Sequence, residues 1–136
     1  MEYCRNGIRE LTTVIGRDRT LELGKRAARL TGLQQFKHMA DALGCVDGGV
    51  ADAARFLATV LEGMGDTVEL SVTGDRATLR HAGLRIVRGL EGVDRETMLA
   101  CWTELWRGAI GSHRVFIDVE VEEVDGALIW QLAPRG

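Results

Sequence analysis

Two tight turns, each flanked by alternating apolar and polar residues, constrain the fold of this chain more than any other feature of its sequence. The segment TVELSVTGDRATLRH reverses at Gly74-Asp75, and RVFIDVEVEEVDGALIWQLA reverses at Asp125-Gly126. Glycine-first and Asp-Gly pairs suit two-residue loops, because the backbone of such loops visits positive φ. We therefore expect two β-hairpins, one on each side of a connecting segment.

The length of each loop fixes the register of its hairpin, and the register decides which side chains share a face. In the first hairpin one face carries Val68 opposite His81, Leu70 opposite Leu79, and Val72 opposite Ala77. In the second hairpin one face carries Val119 opposite Leu132, Val121 opposite Trp130, and Glu123 opposite Leu128. The histidine at the open end of the first hairpin is thus predicted to point to the apolar side of the sheet.

The opposite face of the second hairpin is mostly polar. Asp118, Glu120 and Glu122 alternate along its first strand and form what we call the acidic row. One apolar face and one polar face are expected of an antiparallel sheet that is covered on one side only. The acidic row also disfavours edge-to-edge association of two copies.

Residues 1–65 have helical rather than strand periodicity. Apolar residues recur at three- and four-residue spacing in four segments, which predicts four helices separated at Gly16, at Gly32 and at GCVDGG. A further helix, capped by Asp94 and ended by Gly111, joins the hairpins. More than half of its circumference is apolar, so we expect it to contact more than one layer. It lies either between the sheet and the N-terminal helices or partly exposed to a cavity or a partner.

One face of the second predicted helix consists mostly of small residues: Leu21, Gly24, Ala28 and Thr31. Small side chains let the axes of two helices come close together. We therefore expect this helix to be sandwiched between neighbours.

The whole pattern predicts an α+β fold in which N-terminal helices pack on a four-stranded antiparallel sheet. We expect one domain over residues 1–136, with a helical layer at 1–65 and a hairpin–helix–hairpin unit at 66–136. The composition is that of an ordinary globular protein, with 46% hydrophobic and 27% charged residues.

Charge and hydropathy exclude several classes of partner. A formal net charge of −3 offers no broad basic surface, so we expect no nucleic-acid partner. No apolar run reaches the roughly 18 residues of a membrane span, and MEYCRNGIRE lacks the apolar stretch of a secretory signal. The expected location is the cytoplasm.

The cysteines do not form a metal-binding pattern. Cys4, Cys45 and Cys101 are odd in number and far apart, and the sequence lacks CxxC, HxxxH and HExxH. We therefore expect reduced thiols, no metal site and no other cofactor.

The candidate catalytic residues are His81, His113 and Cys101. Both imidazoles are predicted to face the covered side of the sheet, and the thiol comes from the helix between them. Histidine supplies acid–base chemistry near neutral pH. A full triad with Asp118 is disfavoured, because that carboxylate has the opposite strand parity to His113 and should point outward.

Aromatic and basic residues complete the candidate site. Trp102, Trp106 and Trp130 would wall an apolar pocket, and Arg85 with Arg88 would clamp a carboxylate. The alternative interpretation is structural: the tryptophans belong to the core, the histidines are hydrogen-bonded at strand ends, and the arginines are solvated.

The order of elements, together with LGKRAARLTG, FLATVLEGMGDTVELSV and ACWTELWRGAIG, resembles the ligand-binding domains of the 4-vinyl reductase type. These share an αββαββ core with heme-nitric-oxide-binding domains, with adaptor subunits of transport-protein-particle tethering complexes, and with small bacterial proteins similar to 2-aminothiazoline-4-carboxylate hydrolase. The resemblance implies this fold and a small molecule held between helices and sheet. HRVFIDVEVEEVDG stands where many such domains carry a cysteine-rich pattern, so the resemblance implies no metal site here.

Two functions follow from these observations. The first is a cytosolic small-molecule-binding domain, acting as a small metal-free hydrolase or lyase on an organic acid through histidine acid–base chemistry. The alternative is a non-catalytic module for ligand sensing or assembly, an adaptor that functions as a homodimer. Fold alone does not decide between them.

Overall fold

The computed structural model describes residues 2–43, 49–111 and 117–135 of the chain. In chain order the elements are α1 (Glu2–Ile15), α2 (Arg17–Leu43), α3 (Val50–Gly63), β1 (Thr67–Thr73), β2 (Arg76–Ala82), a 3-10 turn (Arg85–Val87), α4 (Gly92–Gly111), β3 (Ile117–Val124) and β4 (Ala127–Pro134). The predicted α+β class and its four-stranded antiparallel sheet are confirmed.

Both hairpins form with the predicted registers. Val68 lies opposite His81 in the first, and Val121 lies opposite Trp130 in the second. Asp125 has φ 51° and is the one non-glycine residue with positive φ in the described ranges, a conformation that its two-residue turn requires. The hairpins join through β2 and β4, which gives the strand order β1-β2-β4-β3.

The helices lie in two layers beneath the sheet. α3 packs under β1, β2 and β4, α4 contacts β3, and α2 lies against α4 with α1 beside both. The largest fully buried side chains come from α3, α4, β2 and β4: Phe56, Leu57, Leu61, Leu79, His81, Ile110, Leu128, Trp130 and Leu132. α4 is thus the middle layer, which explains its broadly apolar circumference.

The predicted helix break at Gly32 is wrong, because α2 runs without interruption from Arg17 to Leu43. Gly32 is buried where α2 crosses α4. A Cβ atom at this position would overlap the carbonyl oxygen of Leu105 and would lie 2.7 Å from the backbone nitrogen of Ala109. Glycine is therefore needed here for close approach of two helices and not for helix termination.

The small-residue face of α2 is confirmed as a contact surface with α4. A Cβ on Gly24 would lie 2.6 Å from the Sγ atom of Cys101, and a Cβ on Gly108 would overlap the backbone of Arg29. We expected neighbours on both sides of this helix. α4 covers one side of α2, whereas Leu23 and Leu30 on the opposite side are exposed.

The segment between the hairpins packs into the core before α4 begins. Leu84, Ile86 and Val87 are buried around the 3-10 turn.

In the described part of the chain, no helix combines the length and the hydropathy needed to cross a bilayer.

Gly32→Ala is expected to lower the free energy of unfolding by about 1–3 kcal/mol or more, because backbone atoms of α4 cannot move aside for the added methyl group. Gly7→Ala is the matched control. It lies in α1, and no atom of the described residues is within 4 Å of its Cβ position, so helix propensity should stabilise this variant by up to about 1 kcal/mol. Urea unfolding of both variants measures the difference, and equal effects would contradict the proposed crossing.

Candidate functional site

His81 lies in the core and bonds two other polar side chains. β2 places the ring on the inner face of the sheet, where it is completely buried. Its Nε2 atom is 2.6 Å from Oδ2 of Asp66, and its Nδ1 atom accepts a 3.4 Å hydrogen bond from the indole N–H of Trp130. The other carboxylate oxygen of Asp66 accepts the backbone N–H of Arg85 at 3.2 Å.

These contacts assign the proton on the imidazole. Because the indole of Trp130 can only donate, Nδ1 of His81 must accept, and the ring proton lies on Nε2. That proton is donated to Asp66, whose two oxygens then serve as acceptors only. We call this arrangement the Asp66–His81–Trp130 network, in which each polar atom has a partner of the right kind.

Asp66 was not among the residues predicted from the sequence, although strand parity gives the signal. It directly precedes β1 and has the same parity as Val68, which lies opposite His81. An acidic residue with inward parity beside a buried histidine is a natural hydrogen-bond partner for it.

Among the described residues, the hydrogen-bond partners of His81 are Asp66 and Trp130 and do not include Cys101. His113 lies outside the described residues, so its role stays a prediction. Asp118 is exposed and accepts a 2.7 Å hydrogen bond from Arg135, in agreement with the outward parity that argued against a triad.

Cys101 is buried at the crossing of α2 and α4, beside Gly24. Burial raises the pKa of its thiol; Lys25 nearby opposes this change, and Glu104 adds to it. A nucleophilic cysteine needs a lowered pKa and access to its substrate. The surroundings of this thiol therefore favour a packing role.

The three tryptophans divide into two groups. Trp102 and Trp106 of α4 meet edge to face, with ring centroids 5.3 Å apart, and Phe56 contacts Trp106 at 6.4 Å. Trp130 belongs instead to the network around His81. The indole N–H groups of Trp102 and Trp106 are buried and have no hydrogen-bond partner among the described residues.

Arg85 begins the 3-10 turn, Arg88 directly follows it, and both are exposed. The guanidinium of Arg85 covers Gly65, where a Cβ atom would lie 2.7 Å from its Cζ. A joint role of the two arginines in binding a carboxylate stays a prediction.

A buried carboxylate that the sequence did not reveal joins α2 to α4. Oε2 of Glu104 accepts two hydrogen bonds from Arg29, at 3.0 and 2.7 Å, and Oε1 accepts one from Arg107 at 3.2 Å. The spacing of Glu104 and Arg107 suggests a contact, but Arg29 is 75 residues away. The group borders a cavity of about 420 Å³ that is completed by Ile117, Asp118, Val119, Glu120 and Arg135.

A second candidate surface is apolar and lies on the helices. Val14 of α1 is 76% exposed, and Leu23 and Leu30 of α2 are 50% and 58% exposed. The two leucines are seven residues apart and therefore project from the same side of α2, away from α4. Leu11 and Leu33 add to the exposed apolar area of these helices. We call these five residues the apolar helix surface.

Comparisons with known proteins identify the fold and leave the family open. No protein-family model matches the chain, and no curated protein matches it. Among solved structures, it is similar to trafficking protein particle complex subunit 3 from Naegleria fowleri covalently bound to palmitic acid. The TM-score is 0.71 at 12% sequence identity, and the match covers 99% of this chain and 95% of the other. At this identity the likeness establishes the fold, which is the αββαββ arrangement expected from the tethering-complex adaptors.

Asp66→Asn is expected to lower the free energy of unfolding by about 1–3 kcal/mol. An asparagine can accept from either His81 or Arg85, but its amide then meets the other donor. Asp75→Asn, an exposed change of the same type in the first turn, should stay within about 0.5 kcal/mol of wild type. Chemical unfolding gives both values, and ¹⁵N shifts of His81 should show the Nε2–H tautomer; an Nδ1–H ring would contradict the network.

Cys101 is expected to resist alkylation in the native protein, since its raised pKa and burial leave little accessible thiolate. Iodoacetamide labelling followed by mass spectrometry tests this in a Cys4→Ser, Cys45→Ser background. Modification should become fast only in denaturant. Rapid labelling of native protein near pH 7.5 would instead support a nucleophilic role.

Proposed function

We propose that this chain is a non-catalytic assembly module that functions as a homodimer through its apolar helix surface. The observation that carries the proposal is the exposure of Leu23 and Leu30 on the side of α2 that faces away from α4. Large apolar side chains that are exposed together on one side of a helix are typical of an interaction site.

A second copy is the partner that we propose for this surface. A two-fold axis places the same patch on both partners, so each exposed leucine contributes twice to the interface. Ala27 lies between the two leucines along α2 and is also exposed, and its small side chain lets two α2 helices approach. Glu22 and Arg26 form an ion pair at 3.0 Å beside the leucines and would supply a polar rim.

The fold comparison supports this proposal over an enzymatic one. The similar structure is named as a subunit of a trafficking protein particle complex. The sequence likewise resembles the tethering-complex adaptors. Membership of a complex, as in the similar structure, and the exposed apolar residues on the helices of this chain both point to assembly.

Small-molecule binding is the second candidate, and a specific observation favours it. Two buried indole N–H donors, on Trp102 and Trp106, have no partner among the described residues, and burying such groups unpaired is costly. The similar solved structure carries covalently bound palmitic acid, and the resemblance to 4-vinyl reductase domains points the same way. An apolar molecule with one hydrogen-bond acceptor would suit these tryptophans.

Hydrolase or lyase chemistry receives less support from the geometry. Both ring nitrogens of His81 are engaged within the protein, and Cys101 is a buried thiol. We propose that these two residues stabilise the fold.

Native mass spectrometry of freshly purified protein reports a retained ligand and the oligomeric state together.

The Leu23→Glu, Leu30→Glu variant is expected to weaken self-association by at least ~10-fold, since burying a leucine contributes about 1.5–3 kcal/mol and charge opposes it. Sedimentation equilibrium across the micromolar range measures this. Val124→Glu is the matched control, because it changes an exposed valine far along the chain, beside the second hairpin turn. It should dimerise like wild type.

Two outcomes would overturn the homodimer. One is a wild-type protein that is monomeric at every concentration. The other is a variant that dimerises with wild-type affinity while circular dichroism shows intact helices.

A further inference from the structure

One edge of the sheet is formed by β3, whose backbone can accept another strand. Among the described residues, β4 is the only strand that pairs with β3. The two-residue turn makes Val124 and Ala127 a hydrogen-bonded pair, and such pairs alternate along an antiparallel ladder. The N–H and C=O groups of Ile117, Val119 and Val121 therefore point away from β4, toward the open edge.

A strand added at this edge would lie over the flank of α4. Below β3 runs a hollow of about 260 Å³ whose apolar lining includes Leu99, Ala100, Val121 and Leu128. The cavity of about 420 Å³ beside Glu104 borders the other end of the same strand. We call the two together the β3 groove.

An ion pair joins β3 to α4 at the end of the groove nearest the β3–β4 turn. Arg95 of α4 donates two hydrogen bonds to the carboxylate of Glu123, one of them at 3.1 Å. The contact lowers the pKa of Glu123, so this carboxylate keeps its charge. This ion pair holds α4 against β3 at the turn end of the groove.

The negative charge on the outer face of β3 determines which kind of added strand this edge favours. The acidic row, Asp118, Glu120 and Glu122, is exposed along β3 with two-residue periodicity. A second copy paired through β3 would set two acidic rows side by side, and like charges opposite one another are destabilising. An added strand with basic residues on that face would instead be attracted.

We propose that the edge strand β3 and the β3 groove bind an extended segment of a partner protein in which basic and apolar residues alternate. Backbone hydrogen bonds to β3 would provide affinity. The basic side chains would lie beside the acidic row, and the apolar ones would enter the groove over Leu99 and Ala100. This inference stands apart from the proposed homodimer, because it uses the sheet edge and not the outer faces of α1 and α2.

The probe is a fluorescein-labelled, end-capped peptide KVKVKVK, which spans β3 when extended. Its control is KKVVVKK, which has the same composition and charge without the two-residue period. Fluorescence anisotropy at about 0.15 M salt, where non-specific attraction is screened, should show binding of the first peptide at least ~10-fold tighter than of the second.

Two protein variants separate the site from overall charge. Glu120→Lys should weaken binding of KVKVKVK at least ~10-fold, because attraction becomes repulsion at the acidic row. Glu69→Lys changes the net charge by the same amount on the opposite edge strand, β1, and should leave the affinity within about twofold of wild type. Circular dichroism confirms that both variants are folded.

Amide hydrogen exchange distinguishes strand addition from purely electrostatic binding, which would leave the exchange rates of the β3 amides unchanged. The amide protons of Val119 and Val121 should exchange more slowly when the peptide is bound, since only strand addition gives them an acceptor. Three results would overturn the proposal: equal affinity for both peptides, equal losses in Glu69→Lys and Glu120→Lys, or unchanged exchange of these two amides. None of these depends on whether the protein dimerises.

Discussion

The close crossing of α2 and α4 is the contact on which the rest of the structure depends. Gly32 and Gly108 allow each backbone to touch the other, and no side chain could replace either hydrogen atom without displacing a helix. The crossing fixes α4 as the middle layer. In turn, α4 positions the tryptophan pair against α3, buries Cys101, and brings Glu104 within reach of Arg29. Because apolar contacts alone tolerate sliding, these glycines set the register of the two helices as well as their distance.

A buried polar network in the sheet has a corresponding role. Asp66 lies in the connection between α3 and β1, His81 in β2 and Trp130 in β4, so one set of hydrogen bonds joins three separate segments. Such contacts contribute little net stability when they form, yet they penalise every arrangement in which a partner is missing. A one-residue slip of either hairpin would leave a buried carboxylate or imidazole unpaired. The network thus selects the observed strand pairing against its near alternatives.

What the sequence predicted and what it missed can be explained by the distance over which each signal acts. Hairpin registers depend on turn residues next to the strands they join, and these predictions were confirmed down to the pairing of Val68 with His81. Gly32 was misread because glycine ends helices and also permits close helix contact, and only the location of α4 distinguishes the two. Glu104 was missed since its partner Arg29 is distant in the chain. Asp66 has the inward parity of the first hairpin, but it lies one residue before the predicted strand, where parity alone does not imply a buried side chain.

The two surfaces that we connect with function differ in the physics that each can use. The apolar helix surface offers area without hydrogen-bonding groups, which suits a partner with the same character, and a second copy meets that requirement by symmetry. The β3 edge offers directed backbone groups and a row of like charge, which suits an extended basic segment and rejects a copy of itself. Because the surfaces belong to different elements, occupation of one leaves the atoms of the other available. A dimer built in this way would present two equivalent β3 edges and could hold two partner segments at once, which is the arrangement that an assembly module needs.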